Sequence, residues 1–468
     1  MGNLSKPVSG VLELIGNTPM IRITKLDTGV CDLYLKLESQ NPGGSIKDRI
    51  GLSMIEQAEK DGLLKAGGTI VEATAGNTGL GLALVAAQKG YKLILVIPDK
   101  MSQDKIFHLK ALGVDVRLTR SDVEKGHPDY YQDVAARITE ETPGSFFVNQ
   151  FSNDANAKAH EAGTGPEIWE QMDHKVDAIV AGVGSGGTIS GLGTFFKRVN
   201  PDIDVVLADP VGSVLAEAVW TGTPATEVGS WVVEGIGEDF IPDILKMDLL
   251  DKAYAISDDE ALMTIREVLA KEGLLLGSSS GTLIGAALKY CREQTEPKTV
   301  VTLAPDTGNK YLSKAFNDYW MEDQGFIQRE QVGDLRDLIT RRTEDRAVVT
   351  VKPDDTLLTA YGRMKLYDVS QLPVLNEEGK LEGIIDEMDI LMAVEGDEQK
   401  FSLPISEIMA TNLKTLPKSA EIKDLLPIFN DGMVAIIQDD DGFHGIITRI
   451  DVMNYLRAKL RNEKHHSF

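Results

Sequence analysis

Cysteine is almost missing from this chain. Only Cys31 and Cys291 occur in 468 residues, far apart and outside any C-x-x-C, which excludes a disulfide framework and a zinc knuckle and leaves two reduced thiols. Basic charge is short as well: 48 Lys and Arg against 72 Asp and Glu give a formal charge of −24. A surface of that sign binds neither nucleic acid nor an anionic membrane, since both need clustered cations to meet phosphate. Long apolar runs are absent. None reaches the length of a membrane span, and Met1 to Val11 holds none long enough for a signal peptide, so a cytoplasmic location is expected.

What the chain does have is a hydrophobic fraction of 42%, ample for burial, and a length that points to about two to four domains. Thr69 to Glu72, Lys92 to Ile97 and Asp115 to Leu118 read as strands, alternating with helices at Leu80 to Lys89 and Gln103 to Leu112, with Gly90 and Gly113 at C-cap positions. Continuously apolar strands in such alternation predict an α/β fold, a mostly parallel sheet covered on both faces, with ligands beyond the carboxyl ends of its strands. Met20 to Ile23, Leu33 to Leu37, Val176 to Ala181 and Thr299 to Leu303 are further strands, and a helical tail runs to about Trp320.

Three glycine turns stand at such strand ends. Asn41-Pro42-Gly43-Gly44-Ser45-Ile46-Lys47-Asp48-Arg49 leads into the apolar-periodic stretch Ile50 to Leu64, so Lys47 falls in the first turn of a helix. Its plainest reading is a turn with Ser45 as N-cap and a solvated lysine. Thr74-Ala75-Gly76-Asn77-Thr78-Gly79 opens the next helix, whose free N–H groups suit a carboxylate or form only a capping turn. Gly182-Val183-Gly184-Ser185-Gly186-Gly187-Thr188 fits G-x-G-x-x-G, and Asp209 stands 22 residues past Gly187 at the end of another strand, as the ribose-binding acid of a dinucleotide fold would. That reading gives Lys47 no purpose.

The run around Lys47 resembles the lysine motif of the cysteine synthase and cystathionine β-synthase family, and Leu14-Ile15-Gly16-Asn17-Thr18-Pro19 resembles the family's opening. The resemblance implies a fold-type-II enzyme in which Lys47 carries pyridoxal 5′-phosphate (PLP) and acts as general base. It implies that Gly184, Ser185, Gly186, Gly187 and Thr188 hold the cofactor phosphate, where the family usually has Gly-Thr-Gly-Gly-Thr, and that Asn77 lies against the 3′-oxygen. A serine of Gly277-Ser278-Ser279-Ser280-Gly281 should meet the pyridine nitrogen; alignment on the two glycines selects Ser279, with the neighbouring register open. A neutral hydroxyl cannot keep that nitrogen protonated, so the ring is a weaker electron sink and suits a substrate with a departing β-group. Thr74, Ala75, Gly76, Thr78 and Gln150 are the implied substrate-carboxylate residues. Ala75 replaces the family's serine, which removes a hydroxyl but no backbone N–H, and Gln150 reads also as a buried structural amide. Asp209-Pro210-Val211-Gly212-Ser213 and the run from Glu234 to Pro242 look more like the cystathionine β-synthase branch than the cysteine synthases. Phe151 and Glu238 depart from it, standing where that branch has tyrosine and often another aromatic residue.

Residues 1–320 are thus read as the catalytic domain and 321–340 as a linker. Beyond lies a loose repeat: Val348 to Val351, a helix, Pro373 to Leu375, Gly383 to Ile385 and Asp389 recur as Leu413 to Leu416, a helix, Val434 to Ile437, Gly445 to Ile447 and Asp451. The copies, 341–398 and 405–460, resemble a tandem pair of CBS domains, or Bateman module. In such modules a Gly-x-x-Thr-x-x-Asp pattern holds the ribose of an adenosyl ligand. Gly445, Thr448 and Asp451 fit it, whereas the first copy has Asp386 for the threonine, whose carboxylate disfavours phosphate; a module that only dimerises or braces is the alternative. The whole resemblance implies condensation of L-serine, or an activated serine, with L-homocysteine, release of hydrogen sulfide from cysteine beside it, and a homodimer or higher homo-oligomer. No haem is expected, since a haem-binding N-terminal extension and a Cys-Pro-x-Cys-His-like stretch are both lacking. Two alternatives stay open: a cysteine synthase using O-acetylserine and sulfide, and an adenosyl-ligand sensor on an inert scaffold.

Overall fold

Burial on both faces is what the apolar runs Ala178–Gly182, Asp204–Pro210 and Thr299–Leu303 need, and the structure, a computed structural model, supplies it by parallel pairing between helical layers. It describes residues 7–74, 76–99, 103–120, 122–123, 126–328, 331–343 and 347–465. The chain divides into two units, Met1–Asn317 and Asp318–Phe468.

In the first unit β1 (Met20–Arg22) and β2 (Asp32–Lys36) precede α1 (Lys47–Lys60). Then come β3 (Thr69–Ala73), α2 (Asn77–Lys89), β4 (Lys92–Pro98), α3 (Gln103–Ala111), β5 (Asp115–Thr119), α4 (Tyr131–Glu141) and β6 (Ser145–Phe147). Their strands form a parallel sheet in the order β5-β4-β3-β6. After α5 (Asp154–Ala159), a π-helical turn at His160–Thr164 and α6 (Gly165–Gln171), the chain runs through β7 (Ala178–Gly182), α7 (Gly187–Val199), β8 (Asp204–Pro210) and α8 (Leu215–Thr221). It ends in β9 (Lys252–Ile256), α9 (Asp258–Glu272), α10 (Ser278–Arg292) and β10 (Thr299–Leu303). The second sheet is β1-β2-β10-β7-β8-β9, parallel except at its β1 edge.

The strands and helices expected in this unit are present, displaced by a few residues at their ends. Of the helical tail only the end, from Asp318, is helical. Before it stand one 3-10 turn, Gly308–Lys310, and isolated turns, because Gly308 and Asn309 are poor helix formers and Tyr311 turns inward to Asp306.

Two glycines decide where Lys47 sits. α1 crosses α2 so closely that a Cβ on Gly51 would lie 2.8 Å from the carbonyl carbon of Gly81, and one on Gly81 2.6 Å from the carbonyl oxygen of Lys47. The N-terminus of α1 is thereby pressed against that of α2, beyond the carboxyl end of β3.

The second unit opens with α11 (Asp318–Asp323). Its first copy comprises α12 (Leu357–Tyr367), antiparallel β11 (Gln371–Leu375) and β12 (Leu381–Asp386), and α13 (Glu387–Val394). The other copy comprises β13 (Thr415–Leu416), α14 (Ile422–Asn430), β14 (Ala435–Asp439), β15 (Gly442–Ile447) and α15 (Arg449–His465). Instead of the strand expected at Val348 to Val351 there is a single bridge from Val351 to Val374. Leu335, Leu338 and Ile339, in the stretch read as linker, are buried with Leu425, Phe429 and Ile437 in the core of the second copy, which a free linker would not do. Gly445 makes the room: a Cβ there would lie 2.7 Å from the Ile339 side chain. Among the described residues no helix is long and apolar enough to cross a membrane.

Candidate active site

Gly44, at φ +76°, makes the left-handed turn after β2, and the chain enters α1 at Lys47. Ser45 is not the N-cap. Ile46 holds that place, and Ser45 Oγ accepts the Lys47 N–H at 3.3 Å. Burial pushes the Lys47 amine down to about 8, against the opposing pull of Glu238 and Asp306. Such an amine reaches its neutral, nucleophilic form far closer to physiological pH than an exposed lysine does.

Asp306, just past β10, ties three segments to this lysine. It is fully buried, its Oδ2 accepts from Asn77 Nδ2 and from the Tyr311 hydroxyl, both at 2.8 Å, and its carbonyl accepts the Gly277 N–H at 3.1 Å. Gly277 has no alternative, since a Cβ would lie 1.8 Å from Asp306 Oδ1. Lys310 Nζ donates to Asn77 Oδ1 at 2.7 Å. The Asn77 amide is thus fixed in orientation, with one Nδ2 hydrogen left for a ligand.

The carboxylate residues gather at the start of α2. Gly76 N–H reaches Thr74 Oγ1 at 3.4 Å, and Thr78 Oγ1 donates to Gln150 Oε1 at 2.7 Å. In the first turn the Gly79 N–H bonds the Gly76 carbonyl at 3.1 Å, and the Asn77 and Thr78 N–H groups before it have no intrahelical acceptor. Ala75 lies outside the described residues. Below Gln150, desolvation pushes the fully buried Glu72 up to about 8 despite bonds from the Gln150 and Asn149 backbone and the Gln150 side chain. The Gln150 amide is therefore engaged within the protein, the structural role read beside the substrate one.

Gly186, at φ +90°, is the N-cap of α7 in the loop Gly184 to Thr188. Side chains are excluded at two of its glycines: a Cβ on Gly184 would lie 2.5 Å from the Gly235 carbonyl oxygen, and one on Gly187 2.0 Å from Asn156 Oδ1. Asp209 is turned elsewhere. It is fully buried, its Oδ2 accepts the Ala216 N–H of α8 at 2.8 Å, and burial raises it to about 6. An acid spent on that helix cannot serve a ribose, so the dinucleotide reading loses its acceptor. At the start of α10, Ser278 Oγ accepts the Glu234 N–H at 3.1 Å. Ser280 Oγ is wholly enclosed, and Ser279 is buried with its hydroxyl bonded to no described residue.

Glu238 is half-buried, and desolvation with Asp239 beside it pushes it up to about 8 while Lys47 pulls it down. The Phe151 and Phe240 rings lie 5.7 Å apart. Sequence reasoning missed Asp306, Lys310 and Glu72, and also a buried ion network beneath α1. Arg49 donates to both oxygens of Glu38 (2.7 and 2.8 Å) and of Glu167 (2.7 Å each), and Lys36 Nζ to Glu167 at 2.8 Å. Burial alone would raise Glu167, but these bonds hold it at about 2. The available signal was Lys36, a charge inside an apolar strand.

In the second unit Thr448 and Asp451 are brought together as a helix cap: Asp451 Oδ2 accepts the Thr448 N–H at 2.7 Å and its hydroxyl at 2.5 Å, and Oδ1 accepts from Thr340. Asp386 and Asp389 do the same in the first copy, each carboxylate accepting the other's N–H, at 2.8 and 3.0 Å.

The family described as pyridoxal-phosphate dependent enzyme matches residues 11–306, and the CBS domain matches residues 335–396 and 405–458. Cystathionine beta-synthases of Apis mellifera, Mus musculus and Saccharomyces cerevisiae are 35%, 38% and 34% identical, over 97%, 97% and 95% of this chain and 92%, 86% and 97% of theirs. Among solved structures, a hydrogen sulfide-producing enzyme from Fusobacterium nucleatum is 37% identical with a TM-score of 0.61, covering 65% of this chain and 100% of its own. An O-ureido-L-serine synthase is 31% identical with a TM-score of 0.62, covering 68% and 100%. The chain therefore belongs to the pyridoxal-phosphate dependent enzymes, as a member of cystathionine β-synthase type carrying two CBS domains.

Proposed function

We propose that this chain joins L-serine, or an activated serine, to L-homocysteine by β-replacement, giving L-cystathionine. The observation that carries the reading is a desolvated lysine at a helix start, held near 8 beside Asp306 and Glu238. The surrounding residues fit PLP: Lys47 as covalent partner, Gly184 to Thr188 with two glycines that exclude side chains, Asn77 with one amide hydrogen to spare, and Ser279 with an uncommitted hydroxyl. When bound, PLP withdraws electrons from the substrate's Cα, which acidifies its proton and allows a β-substituent to leave.

Lys47 does the proton work. Displaced by the substrate amine, its neutral Nζ accepts the Cα proton and passes it to the departing β-oxygen, so that serine loses water. The homocysteine thiol gives its proton to the again neutral Lys47 Nζ as sulfur bonds to Cβ, and Lys47 delivers that proton to Cα. Thr74, Gly76 and Thr78, with the N–H groups opening α2, receive the substrate carboxylate. The carbonyl oxygen of the Glu238 carboxyl can accept a hydrogen bond from the ammonium group that an amino-acid thiol carries and sulfide lacks, which supports homocysteine as acceptor over sulfide.

A second reading, hydrogen sulfide release from cysteine, draws support from the Fusobacterium enzyme and needs only a different leaving group at Cβ. PLP suffices for this chemistry, without haem, in a cytoplasmic homodimer or higher oligomer; a purified protein with a Soret band would contradict that. At the second CBS copy we infer a site for S-adenosylmethionine or adenosine. Steady-state kinetics with serine, O-acetylserine and cysteine against homocysteine and sulfide test the main reading. A specificity constant for sulfide far above that for homocysteine would make the protein a cysteine synthase instead.

A further inference from the structure

Behind the loop Gly184 to Thr188, two fully buried polar side chains reach its hydroxyls. Asn156, on α5, donates from Nδ2 to Ser185 Oγ at 2.9 Å and to the Gln150 carbonyl at 2.8 Å. Its orientation is thereby fixed, because a flipped amide would set oxygen against that carbonyl. His160, first residue of the π-helical turn, places Nε2 3.2 Å from Thr188 Oγ1 and Nδ1 2.9 Å from Thr164 Oγ1. His160 and Thr164 have no exposed surface. Gly191 permits the approach: a Cβ there would lie 2.8 Å from the His160 Cβ.

Burial, with Arg49 and Lys47 as neighbouring cations, keeps His160 neutral, so one ring nitrogen donates and the other accepts. If Nε2 accepted, the Thr188 hydroxyl proton would be spent on the ring. If Nε2 donates, Nδ1 must accept from Thr164, and the Thr188 proton is released toward the loop.

We propose that His160 is a positioning residue in the tautomer protonated on Nε2: Thr164 O–H donates to Nδ1, Nε2–H donates to Thr188 Oγ1, and the Thr188 hydroxyl becomes a donor aimed at the phosphate dianion. Asn156 does the same for Ser185 by filling that hydroxyl's acceptor side. Both side chains come from the α5 and π-turn segment, so two hydroxyls are pre-oriented before the anion arrives, and none of the donors must be reorganised.

This rests on the reading of Gly184 to Thr188 as the phosphate loop, and the test separates the two. PLP affinity of the resolved apoenzyme is measured by absorbance titration, and the bound phosphate by 31P NMR, for Thr188→Val, His160→Leu, His160→Gln, Thr164→Val and the double variant Thr188→Val/His160→Leu. Thr188→Val and His160→Leu should each weaken PLP by about tenfold and shift the phosphorus signal alike, since a hydrogen bond to a charged group is lost in both. The double variant should lose no more than either single one. His160→Gln, which keeps an N–H near the Nε2 position, should recover most of the affinity. Thr164→Val, nearly isosteric and retaining the ring, should lose about threefold, and it carries the test if His160→Leu does not fold. Additive losses in the double variant, or an unchanged phosphorus signal in both the His160→Leu and Thr164→Val proteins, would overturn the proposal while leaving the loop assignment intact. Wild-type affinity in Thr188→Val would instead refute the loop assignment itself.

Discussion

Burial moves Lys47 and Glu72 to about 8 from opposite sides. For Lys47 the folded value lies below the ordinary 10.5, so between about 8 and that value the unfolded chain holds the extra proton and the cofactor-free protein gains stability as pH rises. Lys47→Ala removes that rise and any need to bury an amine. It should therefore keep its melting temperature at neutral pH yet lose turnover almost entirely; a variant retaining a tenth of the wild-type rate without added amines would contradict the assignment. For Glu72 the folded value lies above the ordinary 4.5, so the stability it contributes is complete below that value and is lost as pH rises through about 8. Glu72→Gln should flatten the fall in stability across this window, a difference on the order of a few kcal/mol. Equal slopes in thermal melts of the two proteins would count against a protonated Glu72. Lys47 was legible because a glycine turn before a helix is a local pattern. Asp306, Glu72 and His160 were not, since each acts on a partner that only the fold brings near, as with Asn77 and Asp306, 229 residues apart.

At the scale of elements, the alternation of strands and helices was legible because glycine C-caps such as Gly90, at φ +76°, punctuate it and apolar strands need both faces covered. The tail after β10 was misread because Tyr311 turns inward to Asp306 while its neighbour Leu312 stays exposed, so the apolar residues do not form one face of a helix. Leu335, Leu338 and Ile339 were hidden in a charged stretch because their i, i+3, i+4 spacing lasts a single turn and their partners lie in the second CBS copy, far along the chain. The crossing of α1 and α2 was unreadable from sequence, though Gly51 and Gly81 were in view. Gly81→Ala forces a methyl group against the Lys47 carbonyl and should cost about 1–3 kcal/mol of stability. It should also lower kcat with little change in fold, by displacing the first turn of α1. Wild-type kcat together with a wild-type melting temperature would show that the contact relaxes freely.

For the whole molecule, the formal charge of −24 leaves small anions such as ATP a poorer prospect at the CBS module than a cationic or neutral adenosyl ligand. Asp451 already accepts from Thr448 and Thr340, so a ribose must share or replace these bonds. Asp451→Asn, which keeps the side-chain shape, should weaken S-adenosylmethionine by roughly tenfold in calorimetry on the full chain. Wild-type heat with ATP and none with S-adenosylmethionine would reverse the expected preference.

The most direct measurement is product analysis by mass spectrometry on the purified, PLP-loaded full chain, with serine or O-acetylserine as donor and homocysteine or sulfide as acceptor. Cystathionine should form from serine and homocysteine, with a specificity constant for homocysteine above that for sulfide, and should vanish in Lys47→Ala. Cysteine from O-acetylserine and sulfide, with no cystathionine from either donor, would contradict the account.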